Sequence, residues 1–599
     1  MERVATNIYE LVSDVILDTK GLTGSWFSIS SDSSIGLFLP EILICGTILL
    51  MLLVRLFRFA EKFDMFYIAF FGFLAAFLVL APWRLNSDSS VIAQKEIFTG
   101  LMVVDGFSVF IRGLLFSFGL LFLVFTKLSG TPSRYDSADV YTLVLGATLG
   151  LCVMSGANHL LIIFMGVEMA SVPSYVLAGL QKRDRKGSEA ALKFAVYGAG
   201  AAGIMIYGIS LLAGLFHTAH LPTLAWQMSQ QLPEMSSMEL MVAALAGLMI
   251  MAGLAYKLSA FPFHYWIPDV LEGAPAEVGA FLSIASKAAA LALLVRVVLG
   301  VGFLPKDNGA VPTAPVAVVK SDHLGSETDQ TQLTAFDETH ATDAVEAEPH
   351  HPTHNTASVD GLVGARSFMA KLIALIAILT CTFGNLAAYG QKNIKRMLAY
   401  STIAHAGFMM MGVPALLAAT GIDSDIAAAG VSGIAIYLVI YMFMNLAAFA
   451  VVAFLRNEMG SEQIDDYAGL LHRCPGITIC FVVVLFSLIG MPPMAGFIAK
   501  FAVLASVADA YLLTADSYLM WVLVVGVLNT AISLIYYLRV ARVMTMLPEP
   551  DGRKPFSLPL LSFPGVYVGL LTLPVAFLIV NWESVHRVAT KAAAHLLGS

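Results

Sequence analysis

Apolar runs of bilayer length recur along the whole chain, separated by short polar connections. They fall at about 35–57, 65–85, 102–127, 139–156, 158–180, 189–216, 240–267 and 276–303. They resume near 366–390, 396–419, 431–455, 477–508, 517–546 and 559–581. Each lies near the ~20 residues an α-helix needs to cross a hydrocarbon core, so the pattern predicts an all-α polytopic membrane protein of about fourteen transmembrane helices. Residues 1–34 lack the continuous apolar region of a signal peptide. Ile8, Leu11, Val12 and Val15 recur there at helical spacing, and an amphipathic leader is expected. Between 304 and 365 the chain turns polar, rich in Thr, Asp and Glu, with His323, His340, His350, His351 and His354. That composition reads as a solvated, disordered loop rather than a metal site.

Composition agrees with the pattern: 58% of residues are hydrophobic and only 13% charged, with mean hydropathy +0.79. Soluble domains carry about twice that share of charge. The net charge of −8 says little about partners, and there is no basic stripe to suit a nucleic acid. Cys45, Cys152, Cys381, Cys474 and Cys480 form no CxxC pair and have no His at ligand spacing, so neither a metal nor an iron–sulfur centre is expected. Basic residues crowd alternate connections, among them Arg55, Arg58 and Lys62, then Lys182, Arg183, Arg185 and Lys186, then Lys392, Lys395 and Arg396. The positive-inside rule puts these loops in the cytoplasm and both termini outside.

Against this apolar background a few ionisable side chains stand out. Lys257 lies deep in its run, five residues before Pro262, which removes a backbone donor and breaks the helix. A lysine at membrane depth costs roughly 2.5–3.5 kcal/mol on insertion scales, and helices broken beside a charge are how transporters build ion sites. Glu168 sits mid-run in Leu160-Leu-Ile-Ile-Phe-Met-Gly-Val-Glu-Met-Ala170, and Lys287 and His405 lie deep in theirs. Lys500 follows a second break at Pro492-Pro493. Each has a plainer alternative: a structural ion pair for Glu168, a satisfied core hydrogen bond for Lys287 and His405, and a reach to the interface for Lys500. Lys193 is only a turn inside its run, where snorkelling competes with function. Together the series reads as stations for a proton, with Glu168 setting whether Lys257 holds its charge. No nucleotide-binding or haem-binding pattern is present, so the energy must come from outside the chain.

The two breaks suggest an internal repeat, with residues 139–303 (helices four to eight) and 366–546 (helices nine to thirteen) as two inverted five-helix units. Helices one to three would occupy 35–138, and residues 547–599 would hold helix fourteen and a tail.

The motifs Gly166-Val-Glu-Met-Ala-Ser-Val-Pro-Ser-Tyr-Val-Leu177, Glu189-Ala-Ala-Leu-Lys-Phe194, Pro268-Asp-Val-Leu-Glu-Gly-Ala-Pro275, Asn393-Ile-Lys-Arg-Met-Leu-Ala-Tyr-Ser-Thr-Ile-Ala-His-Ala-Gly407 and Gly490–Phe501 resemble the antiporter-like membrane subunits of bacterial NADH–quinone oxidoreductase, respiratory complex I. Among these the subunit N family fits: subunit M carries a glutamate where this chain has Lys500, and subunit L continues into a long lateral helix. The resemblance implies a fourteen-helix core with inverted repeats and a proton channel driven by quinone reduction elsewhere. Glu168 and Lys257 match the family's helix-five glutamate and helix-seven lysine, Lys193 and Lys287 further channel lysines, and Lys500 the helix-twelve lysine. It implies no cofactor in this chain, with NADH, FMN, iron–sulfur clusters and quinone held by other subunits. Its partners would be neighbouring membrane-arm subunits in the bacterial inner membrane. A subunit of a multi-chain cation/proton antiporter shares the same motifs, and a non-conducting scaffold within complex I is the other rival.

Overall fold

A computed structural model describes residues 33–57, 64–86, 94–133, 136–181, 184–304, 357–550, 553, 556–578 and 580–598. The leader to residue 32 and the five loop histidines lie outside the described residues. The first half runs α1 (Leu39–Arg55), α2 (Met65–Leu80), a hairpin of β1 (Lys95–Ile97) and β2 (Met102–Val104), α3 (Gly106–Ser129), α4 (Ser137–Ser155), α5 (Leu160–Ala178) and α6 (Arg185–Phe216). It continues with α7 (Leu221–Gln231), α8 (Ser237–Leu258), the short α9 (Trp266–Gly273) and α10 (Ala276–Gly302). The second half holds α11 (Ala357–Ala388), α12 (Ile394–Met410), α13 (Gly412–Ala419), α14 (Ser424–Met459), α15 (Pro475–Ile489), α16 (Ala495–Thr514), α17 (Ser517–Met546), α18 (Phe563–Phe577) and α19 (Trp582–Leu597).

Helices meet all fourteen apolar runs, but among the described residues only eleven spans are long and apolar enough to cross a bilayer, or twelve if α18 and α19 count as one bent span. Helices α1, α2 and α18 have 17, 16 and 15 residues, short of the ~30 Å core at 1.5 Å per residue. The third run opens as a strand because Asp105 ends it: its side chain accepts from Ser108 N, Ser108 answers to the Asp105 backbone, and this capping box starts α3. The run at 240–267 stops at Leu258, where Ser259 takes a left-handed φ of 58°. The run at 477–508 is two helices, divided at Gly490 with φ 86°. Helix α11 begins at Ala357, inside the stretch expected as loop, since Leu362 is already buried. The expected C-terminal tail is the amphipathic helix α19, whose Ala589, Ala592 and Ala593 are buried and which packs on α14 and α3.

Burial separates inner from outer helices. In α10, α12–α13 and α14, 89%, 94% and 89% of the apolar window is buried in the protein, against 28% in each of α6, α11 and α17. Without a hydrophobic drive between helices in lipid, close backbone approach holds the bundle together. Helices α11 and α12 meet where a Cβ on Gly384 would lie 2.6 Å from Ala404 N and one on Gly407 2.5 Å from Cys381 N. Helices α4 and α5 meet in the same manner, Gly150 against Ala170 N and Gly166 against Met154. Gly407→Val must push backbone from backbone and is expected to cost about 1–3 kcal/mol, read as a lower unfolding temperature in detergent. An unchanged unfolding temperature would refute the close-packing argument.

Two buried ion pairs tie the first helices to the core. Arg112 Nη1 lies 3.2 Å from Glu41 Oε1, joining α3 to α1, with side chains 4% and 1% exposed. Arg296 of α10 reaches Asp105 at 2.6 Å and Ser155 O at 2.6 Å, with the pair 5% and 0% exposed.

Candidate functional site

Lys257 is the penultimate residue of α8, in the last turn before the break. The break beyond it is tied to the second half by Phe261 N, which donates to Thr380 Oγ1 at 2.9 Å. Lys257 is 5% exposed, and its Nζ donates to Ser171 Oγ at 2.9 Å. Its hydrogen-bond partner is thus Ser171 rather than Glu168, three residues earlier on α5. Glu168 and Lys257 instead face one cavity of about 10 Å³, walled by Ser171, Tyr175, Met205 and Tyr256, the size at which a single water first fits. The sequence-level pairing of Glu168 with Lys257 is realised as a shared cavity and not as a direct ion pair.

Lys193 is not in that cavity. It is partly exposed on α6 and pairs with Glu189 at 2.8 Å and Asp269 at 2.7 Å. Asp269 and Glu272 on α9 both also bind Arg396 of α12, at 2.7 and 2.9 Å, and Lys186 reaches Glu272 at 3.0 Å. The six side chains bridge α6, α9 and α12 on the face that carries the basic loops. Burial opposes ionisation of Asp269, but hydrogen bonds from Lys193 and Arg396 outweigh it and hold the carboxyl below its usual range. A lowered folded-state pKa stabilises the fold above the unfolded value of about 3.9 and loses that contribution as pH falls through the folded value. Asp269→Asn is therefore expected to lower stability by about 1 kcal/mol at neutral pH, a modest figure for a network a third exposed. The gap from wild type should close on acidification below about pH 4 in detergent unfolding curves. A gap that persists at the lowest pH would remove the carboxylate from the account.

The other three ionisable residues converge on α12. Lys287, 1% exposed on α10, donates to Thr402 O at 2.6 Å. His405, 2% exposed, lies one turn on, with Nδ1 2.7 Å from Tyr437 OH and Nε2 3.2 Å from Tyr537 OH. Lys500, 4% exposed, donates to Ile489 O at 2.8 Å and lies 4.5 Å from the centre of the Phe408 ring. Ile489 ends α15, so this ammonium occupies the negative end of a half-helix. Gly490 makes room for it: a Cβ there would come within 2.9 Å of Lys500 Cδ. Lys500 turns inward at the break and does not reach an interface. The prolines mark both breaks, but the turns themselves are made at Ser259 and Gly490, ahead of Pro262, Pro492 and Pro493.

Sequence reasoning passed over the partners of these residues. Tyr437, Tyr441 and Asn445 recur every four residues on one face of α14, a polar stripe in an apolar span that was visible in the chain. Asn445 Nδ2 donates to Ser283 Oγ at 2.7 Å and to Tyr441 OH at 3.0 Å, linking α14 to α10. Asp269 and Arg396 carry no such signal, because their pairing joins distant elements. Among the described residues no group of three His, Cys, Asp or Glu side chains is placed to hold a metal ion.

A many-span helical bundle with two broken helices and lysines buried beside each break has the architecture of an antiporter-like membrane subunit. The family model described as NADH:quinone oxidoreductase/Mrp antiporter, TM, matches residues 157–307 and 356–533. An NADH-quinone oxidoreductase subunit N 2 from Sorangium cellulosum is 35% identical over 573 residues, covering 94% of this chain and 98% of the relative. The chain belongs to the subunit N family of NADH-quinone oxidoreductase, within the antiporter-like group. Its fold is similar to a chain of respiratory complex I from Thermus thermophilus, with TM-score 0.63 and 24% identity over 91% of this chain and 97% of that one. It is also similar to a chain of the Mrp complex from Dietzia sp. DQ12-45-1b, with TM-score 0.70 and 16% identity over 93% and 97%.

Proposed function

We propose that this chain is a proton-translocating membrane subunit of an NADH–quinone oxidoreductase, acting without a redox centre of its own. The observation that carries the reading is the Glu168–Ser171–Lys257 cavity beside the α8 break. A carboxylate and an ammonium there share a space that admits about one water, so a small displacement of Glu168 changes how well the site holds a proton. Quinone reduction in another subunit supplies the displacement. The proton then passes by Lys287 and His405 to Lys500, each buried and each touching α12. Carrying it against the membrane potential costs about 2.3 kcal/mol per 100 mV, which this chain cannot generate alone.

Two inverted units, α4–α10 and α11–α17, suit this arrangement. In both, the second helix is clamped to the first by glycines, and the ionisable residue lies two positions from the clamp: Glu168 beside Gly166, His405 beside Gly407. The basic loops then face the cytoplasm and both termini the outside of a bacterial inner membrane. Lys193, in its network with Asp269, sits where a proton would enter from the basic side. NADH, flavin, iron–sulfur clusters and quinone belong to partner subunits of the complex. The resemblance to a chain of an Mrp complex supports a second reading, a cation/proton antiporter subunit, through the fold alone. Proton pumping by NADH-energised vesicles tests the first reading, and pumping that survives Lys257→Ala at matched assembly overturns it.

A further inference from the structure

Helix α8 sets Ala243, Ala244 and Gly247 across from Gly364 and Ala365 of α11, with a groove of about 690 Å³ between them. Small residues on membrane helices ordinarily let backbones close on each other, as Gly384 and Gly407 do between α11 and α12. Here they hold a gap open, since a Cβ on Gly247 or Gly364 would meet nothing within 4 Å. Val297, Val298 and Val301 of α10 form the back wall, and no polar side chain lines the groove. Leu240 and Phe368, 42% and 48% exposed, flank a mouth on the outer surface of the bundle. The groove runs from Leu240 to Leu254 on α8 and from Gly361 to Leu372 on α11. At 1.5 Å per residue that is roughly 17–21 Å, starting at the bundle end opposite the basic loops and stopping beside the α8 break.

Length, width and polarity together select the occupant. One leaflet supplies ~15 Å of hydrocarbon, close to the length of the groove. Spread along that length, the volume gives a cross-section on the order of 35–40 Å², about half that of an α-helix ~10 Å across. A transmembrane helix of a neighbouring subunit is therefore too wide. A buried water needs two to four polar partners, and these walls offer none. We propose that the groove binds one acyl chain of a phospholipid, taken from the leaflet opposite the basic loops. The chain enters beside Leu240, and its methyl end lies against Leu254 and Leu372. Fixed walls on α8, α10 and α11 give it dispersion contacts on three sides, which sets it apart from the fluid lipid around the bundle. Its lining on α8 is a different set of residues from Gly253, Tyr256 and Lys257, which line the Glu168 cavity. The lipid site thus makes no use of the proton stations and stands whichever ion the chain carries.

The test uses the assembled complex in phosphatidylethanolamine vesicles that contain a trace of phosphatidylglycerol with a diazirine midway along one acyl chain. After illumination, adducts are expected to be densest on the peptides that hold residues 240–254 and 361–372. Gly247→Phe and Gly364→Leu fill the groove from opposite walls. Each should cut those adducts about tenfold at matched assembly, since a close-packed side chain leaves no room for the lipid chain, while the rest of the protein labels as before. If one variant fails to assemble the other decides, and if both fail the wild-type distribution decides. Adducts no denser in the groove than on the exposed face of α6, at Val196 and Tyr207, mean bulk lipid only and overturn the proposal. Groove adducts that persist in both variants overturn it as well, as do groove peptides left unlabelled. A diazirine-tagged isoprenoid quinone that labels the groove and displaces the phospholipid assigns it another occupant, which also overturns the proposal.

Discussion

Lys257→Ala is expected to lower NADH-driven proton pumping about tenfold or more while leaving the amount of assembled complex unchanged. The two halves of that expectation have different causes. Lys257 is the ammonium that lines the Glu168 cavity, and Ala offers no group there to take up or release a proton. Its loss costs the fold little, since a lysine at membrane depth is itself unfavourable by roughly 2.5–3.5 kcal/mol on insertion scales. What disappears is one hydrogen bond to Ser171, whose hydroxyl keeps its bond to Val167 O at 2.6 Å. Assembly followed by native electrophoresis and pumping by a pH-sensitive dye separate the two halves. A variant that assembles and pumps normally would make Lys257 structural.

Asp105→Asn is expected to do the reverse, reducing the folded protein by about 3–5 kcal/mol because it strands the Arg296 charge in a buried site. Asparagine is as good a helix cap as aspartate, so the α3 start survives and the change isolates the charge. Arg296 keeps its bond to Ser155 O, which is too little to compensate a guanidinium only 5% exposed. Adding Arg296→Gln should then restore part of the loss, since replacing both members of a buried pair is far milder than removing one. Unfolding temperature of the single and double variants in detergent decides it. A double variant less stable than the single one would contradict the ion-pair account. Both residues lie away from the proton stations, so any folded fraction should retain its pumping rate per complex.

The positions of the spans were legible because lipid imposes a one-dimensional rule. Every backbone polar group must be satisfied within its own helix, so long apolar runs become helices regardless of their neighbours. The same rule made Glu168, Lys257, Lys287, His405 and Lys500 visible, since charge at membrane depth is costly wherever it occurs. Pro262 and the Pro492-Pro493 pair announced the breaks by removing backbone donors. Length was less legible: α1, apolar between Glu41 and Arg55, and α2, apolar throughout, are both too short to span by length alone, and α19 hides its narrow alanine stripe among polar residues.

The sequence by itself determined the membrane class, the apolar helical segments, the two breaks and the buried ionisable residues. Each of these depends on local composition and a helical period. Only the tertiary structure decided what those residues touch. It set Ser171 and not Glu168 against Lys257, drew Lys193 into a network with Asp269 and Arg396, and turned Lys500 back onto the carbonyl of Ile489. It also brought Tyr437 and Tyr537, a hundred residues apart in the chain, to opposite sides of one imidazole. The physical reason is that a helical period fixes the face a side chain occupies, whereas its partner depends on which helix the glycine contacts let approach.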